Sequence, residues 1–143
     1  MKTGTKLGLL ALVVALGCAV LWFHPLAWVA ARPVQSLYTT AVAQAEILHG
    51  VALLRAGRRR NALQSAADSM FREDFAGRVL AFDGDAARAY AGIAATRRRA
   101  GRPISQLDAQ IAAIASSRGA SLATRNLGDF AGCGVDLVNP WET

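Results

Sequence analysis

Leu37-Tyr38-Thr39-Thr40-Ala41-Val42-Ala43-Gln44-Ala45-Glu46-Ile47 is the stretch on which the reading of the fold turns. Leu37 to Thr40 is a strand candidate, rich in aromatic and β-branched residues. Residues 41–54 read as a helix, in which Val42, Leu48, Val51 and Leu54 form an apolar stripe. Gly57 ends it.

The downstream sequence repeats this rhythm. Residues 58–75 predict a second helix, Gly77 punctuates, and residues 79–82 predict a second strand. Asp83 is placed to cap a helix running to about Arg99. Gly101-Arg102-Pro103 is a turn. Ser105 opens another helix, with Asp108 three residues on as a capping-box-like partner. Leu107, Ile111, Ile114 and Ala115 are its expected buried face, and Gly119 closes it. Residues 121–124 and 135–138 are the third and fourth strand candidates, the last ending at Pro140. Strands alternating with helices predict an α/β fold with a mainly parallel sheet.

Upstream the composition changes. Residues 7–31 contain no Lys, Arg, Asp or Glu, and residues 7–23 are apolar without a break. A run of this kind can span a membrane as a helix, with Trp22 and Trp28 at an interface. It also fits a secretory signal. Lys2 and Lys6 favour an inside N-terminus, which would place the following domain outside the cytoplasm. The chain therefore divides into an apolar segment, residues 1–24, and a domain, residues 25–143.

Sixteen Lys and Arg against ten Asp and Glu give a net charge of +6. Arg58-Arg59-Arg60 and Arg97-Arg98-Arg99 supply much of it. Such clusters suit a polyanion such as RNA, because phosphate contacts release counterions. They also suit helix C-termini, where the dipole favours cations in solvent. Cys18 and Cys133 are too few and too distant for a disulfide framework or a zinc site, and are expected to be reduced. Neither His24 nor His49 has metal-ligand spacing. No glycine-rich phosphate loop and no Gly-x-Ser-x-Gly elbow occurs.

Ligands of open parallel sheets bind beyond the carboxyl ends of the strands. Glu46, Asp108 and Asp129 fall there. Glu46 shares a helical stripe with Val42, Gly50 and Leu53 and so interrupts a partly buried face. Asp108 borders Ile111, Ala112 and Ala115. Carboxylates crowded at one place repel and call for a cation, and magnesium takes oxygen ligands. Each acid also has a plainer use: Asp108 as a helix N-terminal acid, Glu46 as the partner of an Arg, Asp129 as the cap of a short helix.

Three strings carry a resemblance. Residues 37–47, quoted above, resemble the strand and helix motif of VapC- and FitB-like PIN domains. Pro103-Ile104-Ser105-Gln106-Leu107-Asp108-Ala109-Gln110-Ile111-Ala112-Ala113 resembles their central aspartate helix. Leu122-Ala123-Thr124-Arg125-Asn126-Leu127-Gly128-Asp129-Phe130 resembles their late strand and acidic turn, and Val138-Asn139-Pro140-Trp141 fits their end. The resemblance runs from roughly Pro25 to Trp141. It implies a PIN-like parallel sheet flanked by helices and a ribonuclease of type II toxin–antitoxin systems. It implies Mg2+ or Mn2+ held by Glu46, Asp108 and Asp129, with Thr124 and Asn126 as auxiliary polar positions. It further implies an RNA substrate, a cognate antitoxin, a homodimer and a cytoplasmic location.

One departure stands out. The family's first strand ends in an aspartate that binds metal, yet no Asp or Glu precedes Glu46 here. Counting back by the family's spacing puts the missing residue near Leu9, inside the apolar segment. That segment thus replaces the first strand; residues 10–15 could pair in its place but supply no carboxylate. Three expectations follow: a ribonuclease impaired by the missing aspartate, an inactive PIN-like module that binds an antitoxin or other partner, or a basic protein anchored in a membrane through residues 7–23.

Overall fold

The structure, a computed structural model, describes residues 9–12 and 23–142. Among these residues five strands form one sheet in the order β3-β2-β1-β4-β5. They are β1 (Leu9–Leu12), β2 (Leu37–Thr40), β3 (Val79–Leu80), β4 (Ala120–Ala123) and β5 (Leu137–Val138). Every pairing is parallel. Helix α1 (Phe23–Ala30) joins β1 to β2. Helices α2 (Ala41–Ala52) and α3 (Arg58–Ser69) join β2 to β3, and α4 (Gly84–Arg99) and α5 (Gln106–Ser117) join β3 to β4. The short α6 (Leu127–Phe130) precedes β5. This is the α/β arrangement that the alternation of strand and helix signals implies.

Strand β1 occupies the middle of the sheet. Leu10 is level with Leu37 of β2 on one side, and Leu9 to Leu12 are level with Ala120 to Ala123 of β4 on the other. The chain builds outward from β1 through β2 to β3, then returns to the other side for β4 and β5. The order reverses between β1 and β4, and the crevice at their C-terminal ends is the topological switch point, where open parallel sheets bind ligands. Leu9, the position reached by counting, opens β1; its C-terminal end is Leu12, level with Ala123. The remainder of residues 7–22 and the cysteine at position 18 lie outside the described residues. Among the described residues no helix is long and apolar enough to cross a membrane.

The elements follow the expected caps. Thr40 is fully buried, and its Oγ1 accepts a hydrogen bond from the Ala43 amide at 3.0 Å, fixing the entry into α2. Asp83 accepts from Ala86 N at the start of α4, and Ser105 accepts from Asp108 N at the start of α5. Helix α3 passes into a π-helical turn, Met70–Asp74, that turns Phe71 inward. Strand β3 stops at Leu80, short of the expected residue 82, because the chain leaves the sheet for the Asp83 cap and Phe82 turns partly to solvent.

Helix α5 is the centre of the core. Ala109 and Ile111 to Ala115 are all buried, so it is enclosed by α4, β4 and neighbouring elements rather than covered along one stripe. Its small side chains permit this close approach. Leu107, expected in the buried face, is 45% exposed, because the first turn extends past the elements that enclose the rest. Leu53 is likewise 73% exposed, so the stripe of Val42, Glu46, Gly50 and Leu53 opens to solvent at its far end. Trp28 is not an interface residue: it is buried with Leu37 and Ala123, and the Arg32 guanidinium stacks 3.4 Å from its ring centroid.

Candidate active site

Three elements bring acids to the C-terminal edge of the sheet. Helix α2 leaves β2 there and carries Glu46 in its second turn. Helix α5 turns into β4 through Arg118 and Gly119, so it runs back along the sheet, and its first turn, with Asp108, lies at the far end of β4. Helix α6 follows β4 directly and carries Asp129. Thr124 is buried at the end of β4, where its Oγ1 accepts from Asn126 N at 3.1 Å. Asn126 precedes α6, and its carbonyl accepts from Asp129 N at 3.2 Å. The side chains of Asn126 and Asp129 are exposed.

The acids are not equivalent. Glu46 is solvent-accessible, yet desolvation by surrounding protein raises its pKa above the ordinary value of 4.5, and repulsion from the Asp108 carboxylate raises it further. Two acids far apart in sequence are therefore near enough to interact electrostatically. No ion pair formed by a described residue uses Glu46 as a partner. Among the described residues, no group of three or more His, Cys, Asp or Glu side chains could hold a metal ion, so Glu46, Asp108 and Asp129 do not form one such cluster. Of the expected acids, Glu46 and Asp108 interact electrostatically, and the three together do not make a metal-holding group.

The donor chemistry fits a hard cation. Carboxylate oxygens suit magnesium, which keeps several waters and is commonly held by one or two carboxylates together with substrate phosphates. Two like-charged carboxylates that form no ion pair with a described residue are the expected character of such a site.

The arginine clusters behave differently from their sequence reading. Arg58-Arg59-Arg60 opens α3 at its N-terminus, where the dipole disfavours cations, because the chain breaks at Gly57 just before it. Arg97-Arg98-Arg99 does end α4, but Arg97 is only 6% exposed and cannot meet a polyanion. Arg97 is the residue that sequence reasoning missed. The available signal was its position: it shares a face of α4 with the buried Ala86 and Ile93. Beside it, Cys133 is buried and unpaired with another cysteine. Burial raises the pKa of this thiol, the Arg97 charge and hydrogen bond lower it, and Asp108 raises it.

A parallel α/β sheet with a carboxylate pair beside its switch point defines a class of protein whose chemistry lies beyond the strand ends. The PIN-domain family matches residues 24–131. The chain is 40% identical over 117 residues to VapC ribonuclease Y4jK of Sinorhizobium fredii, covering 82% of this chain and 84% of that protein. It is 35% identical over 116 residues to toxin FitB of Neisseria gonorrhoeae, with coverage of 81% and 84%. A solved structure of FitAB bound to an IR36 DNA fragment superposes with a TM-score of 0.78 at 35% identity, covering 82% of each chain. The chain belongs to the PIN-domain family, and its homologues include VapC and FitB toxins of type II toxin–antitoxin systems.

Proposed function

We propose that this protein is a metal-dependent endoribonuclease of toxin type whose activity is impaired by the absence of an acid before Glu46. What supports the reading is a PIN-domain match over residues 24–131, with the helices that carry Glu46 and Asp108 reaching the switch-point end of the sheet. Glu46 and Asp108 would hold Mg2+ or Mn2+, with Asp129 as the third acid that the resemblance implies. A bound divalent cation would supply an activated water and charge stabilisation at the phosphate. Thr124 braces the turn that presents Asn126 and Asp129, through its bond to Asn126 N. Thr40 sets the start of α2 and hence the position of Glu46.

The impaired activity follows from the donor count. Changes one step away from a metal already cost about 10–100-fold in affinity or activity, so a missing direct ligand costs at least as much. The same count favours a second reading, in which residues 25–143 form a PIN-like module that binds a partner without cleaving RNA. Under either reading a cognate antitoxin is the expected partner, since the structural neighbours include FitAB and VapBC complexes, and a homodimer is the expected assembly. The net charge of +6 suits an RNA substrate.

The test is cleavage of total RNA by the purified full chain with magnesium, against Asp108→Asn. Cleavage by the unaltered chain that disappears in the variant supports the enzyme. Equal cleavage by both places the site elsewhere. No cleavage by folded protein leaves the partner-binding module.

A further inference from the structure

Arg32 stacks on Trp28, Arg78 and Arg97 donate to main-chain carbonyls, and Arg72, Arg88 and Arg118 pair with acids. Arg55, Arg58, Arg59 and Arg60 do none of this. They cluster at the turn between α2 and α3, and no ion pair formed by a described residue includes them. Arg55, Arg58 and Arg59 are exposed, and Arg60 is half-buried. From Ile47 to Ala67 the sequence holds no Asp or Glu, so no acid on the chain next to the turn offsets them.

Arg98 and Arg99 are exposed as well, but they end α4, where the helix dipole favours cations. Arg58, Arg59 and Arg60 open α3, whose first turn has no acid and whose start has no capping side chain. There the positive end of the dipole and three guanidinium groups share one sign, so local energetics oppose the cluster. A polyanion reverses that balance, because guanidinium forks grip phosphate oxygens and each contact releases counterions. The turn also continues the helix that carries Glu46. From Glu46 to Ala52, where α2 ends, the helix rises about 9 Å.

We infer, resting on the reading that this chain acts on RNA, that Arg55, Arg58, Arg59 and Arg60 form a subsite for the phosphate backbone of an RNA strand. The subsite lies apart from the carboxylates and performs no chemistry. It holds the strand at the turn, at a distance from Glu46 that the intervening helix fixes. Leu53 and Leu63 are exposed near the turn in sequence, and an acidic, partly apolar protein segment would meet them too. The density of positive charge favours RNA, which carries a phosphate at every nucleotide.

The experiment compares two double variants of the full chain, Arg58→Gln with Arg59→Gln and Arg98→Gln with Arg99→Gln. Each removes two exposed charges, so net charge changes equally and only the place differs. Binding of a labelled single-stranded RNA oligonucleotide is followed by fluorescence anisotropy over a salt series, in a chelator that prevents metal-dependent cleavage. Polyglutamate serves as a second probe, and thermal unfolding checks the fold. Loss of two phosphate contacts at the turn should make the slope of log affinity against log salt shallower by about 1.4, which is about 25-fold weaker binding at 0.1 M salt. The Arg98 and Arg99 changes should cost much less, and the Arg58 and Arg59 changes should not lower Tm, since they relieve repulsion from the dipole. Equal losses in the two variants overturn the subsite, because net charge alone then explains the binding. Weakened polyglutamate binding with RNA binding intact also overturns it and assigns the turn to an acidic protein segment. A lower Tm in the Arg58 and Arg59 variant overturns it as well, since those residues would then serve the fold. An unaltered, folded chain that binds no RNA removes both the subsite and the ribonuclease. RNA held through the turn but never cleaved when magnesium is added removes the ribonuclease and keeps the subsite.

Discussion

Replacing Glu46 by Gln should make the metal-free protein more stable at pH 8, even though it removes a residue of the site. Glu46 carries a charge that surrounding protein desolvates and that Asp108 repels. Its folded pKa is raised above the unfolded value of 4.5. As pH rises past that value the unfolded chain gives up its proton first, so folding loses stability until the folded group has also ionised. Above the folded pKa the penalty is complete, and below the unfolded value it vanishes. The side chain is exposed, so solvent screens the effect, and like charges at a surface cost about 0.2–1 kcal/mol. At about 2–4 °C per kcal/mol for a chain near this size, Tm should rise by roughly 0.5–4 °C.

The assay is thermal unfolding in the presence of a chelator, at pH 4 and pH 8. Glu46→Gln should unfold later than the unaltered protein at pH 8 and together with it at pH 4. Saturating Mn2+ should reverse the order, because a ligand at a hundred times its Kd stabilises the folded state by about 2.7 kcal/mol and the variant forfeits that gain. A metal-free variant no more stable than the parent at pH 8 would refute the reasoning. So would a gain of equal size at both pH values, which would reflect packing rather than charge.

Two further outcomes follow from the packing. Ile111→Ala removes a fully buried side chain from the core cluster around Leu122 and Phe130 and should cost about 2–5 kcal/mol in chemical denaturation; a loss under 1 kcal/mol would mean that α5 is not enclosed as described. Thr40→Val keeps the shape but removes the acceptor for Ala43 N, and should cost about 1–2 kcal/mol and weaken Mn2+ binding by displacing the start of α2; unchanged stability would show that the cap is dispensable.

Much of the fold was legible in the chain because its signals are local. Asp83 and Ser105 cap the helices they were expected to cap, since a side-chain oxygen reaching an amide three residues on needs no distant partner. Strand β2 and the helix that follows it appear where the residues place them. Helical periodicity was less reliable in α5. There the hydrophobic pattern assigned Leu107 to the buried face, but burial depends on which neighbours extend far enough to cover it.

The sequence by itself determined the alternation of strands and helices, the basic balance and the acids available for a site, because spacing, capping chemistry and composition are properties of neighbouring residues. Tertiary structure alone decided which of those acids meet. It brought Asp108 near enough to act on Glu46 and turned Arg97 inward beneath two loops. It also put β1 between β2 and β4, which locates the switch point. These are relations between segments remote along the chain, and only packing around α5 and pairing along the sheet bring such segments into contact.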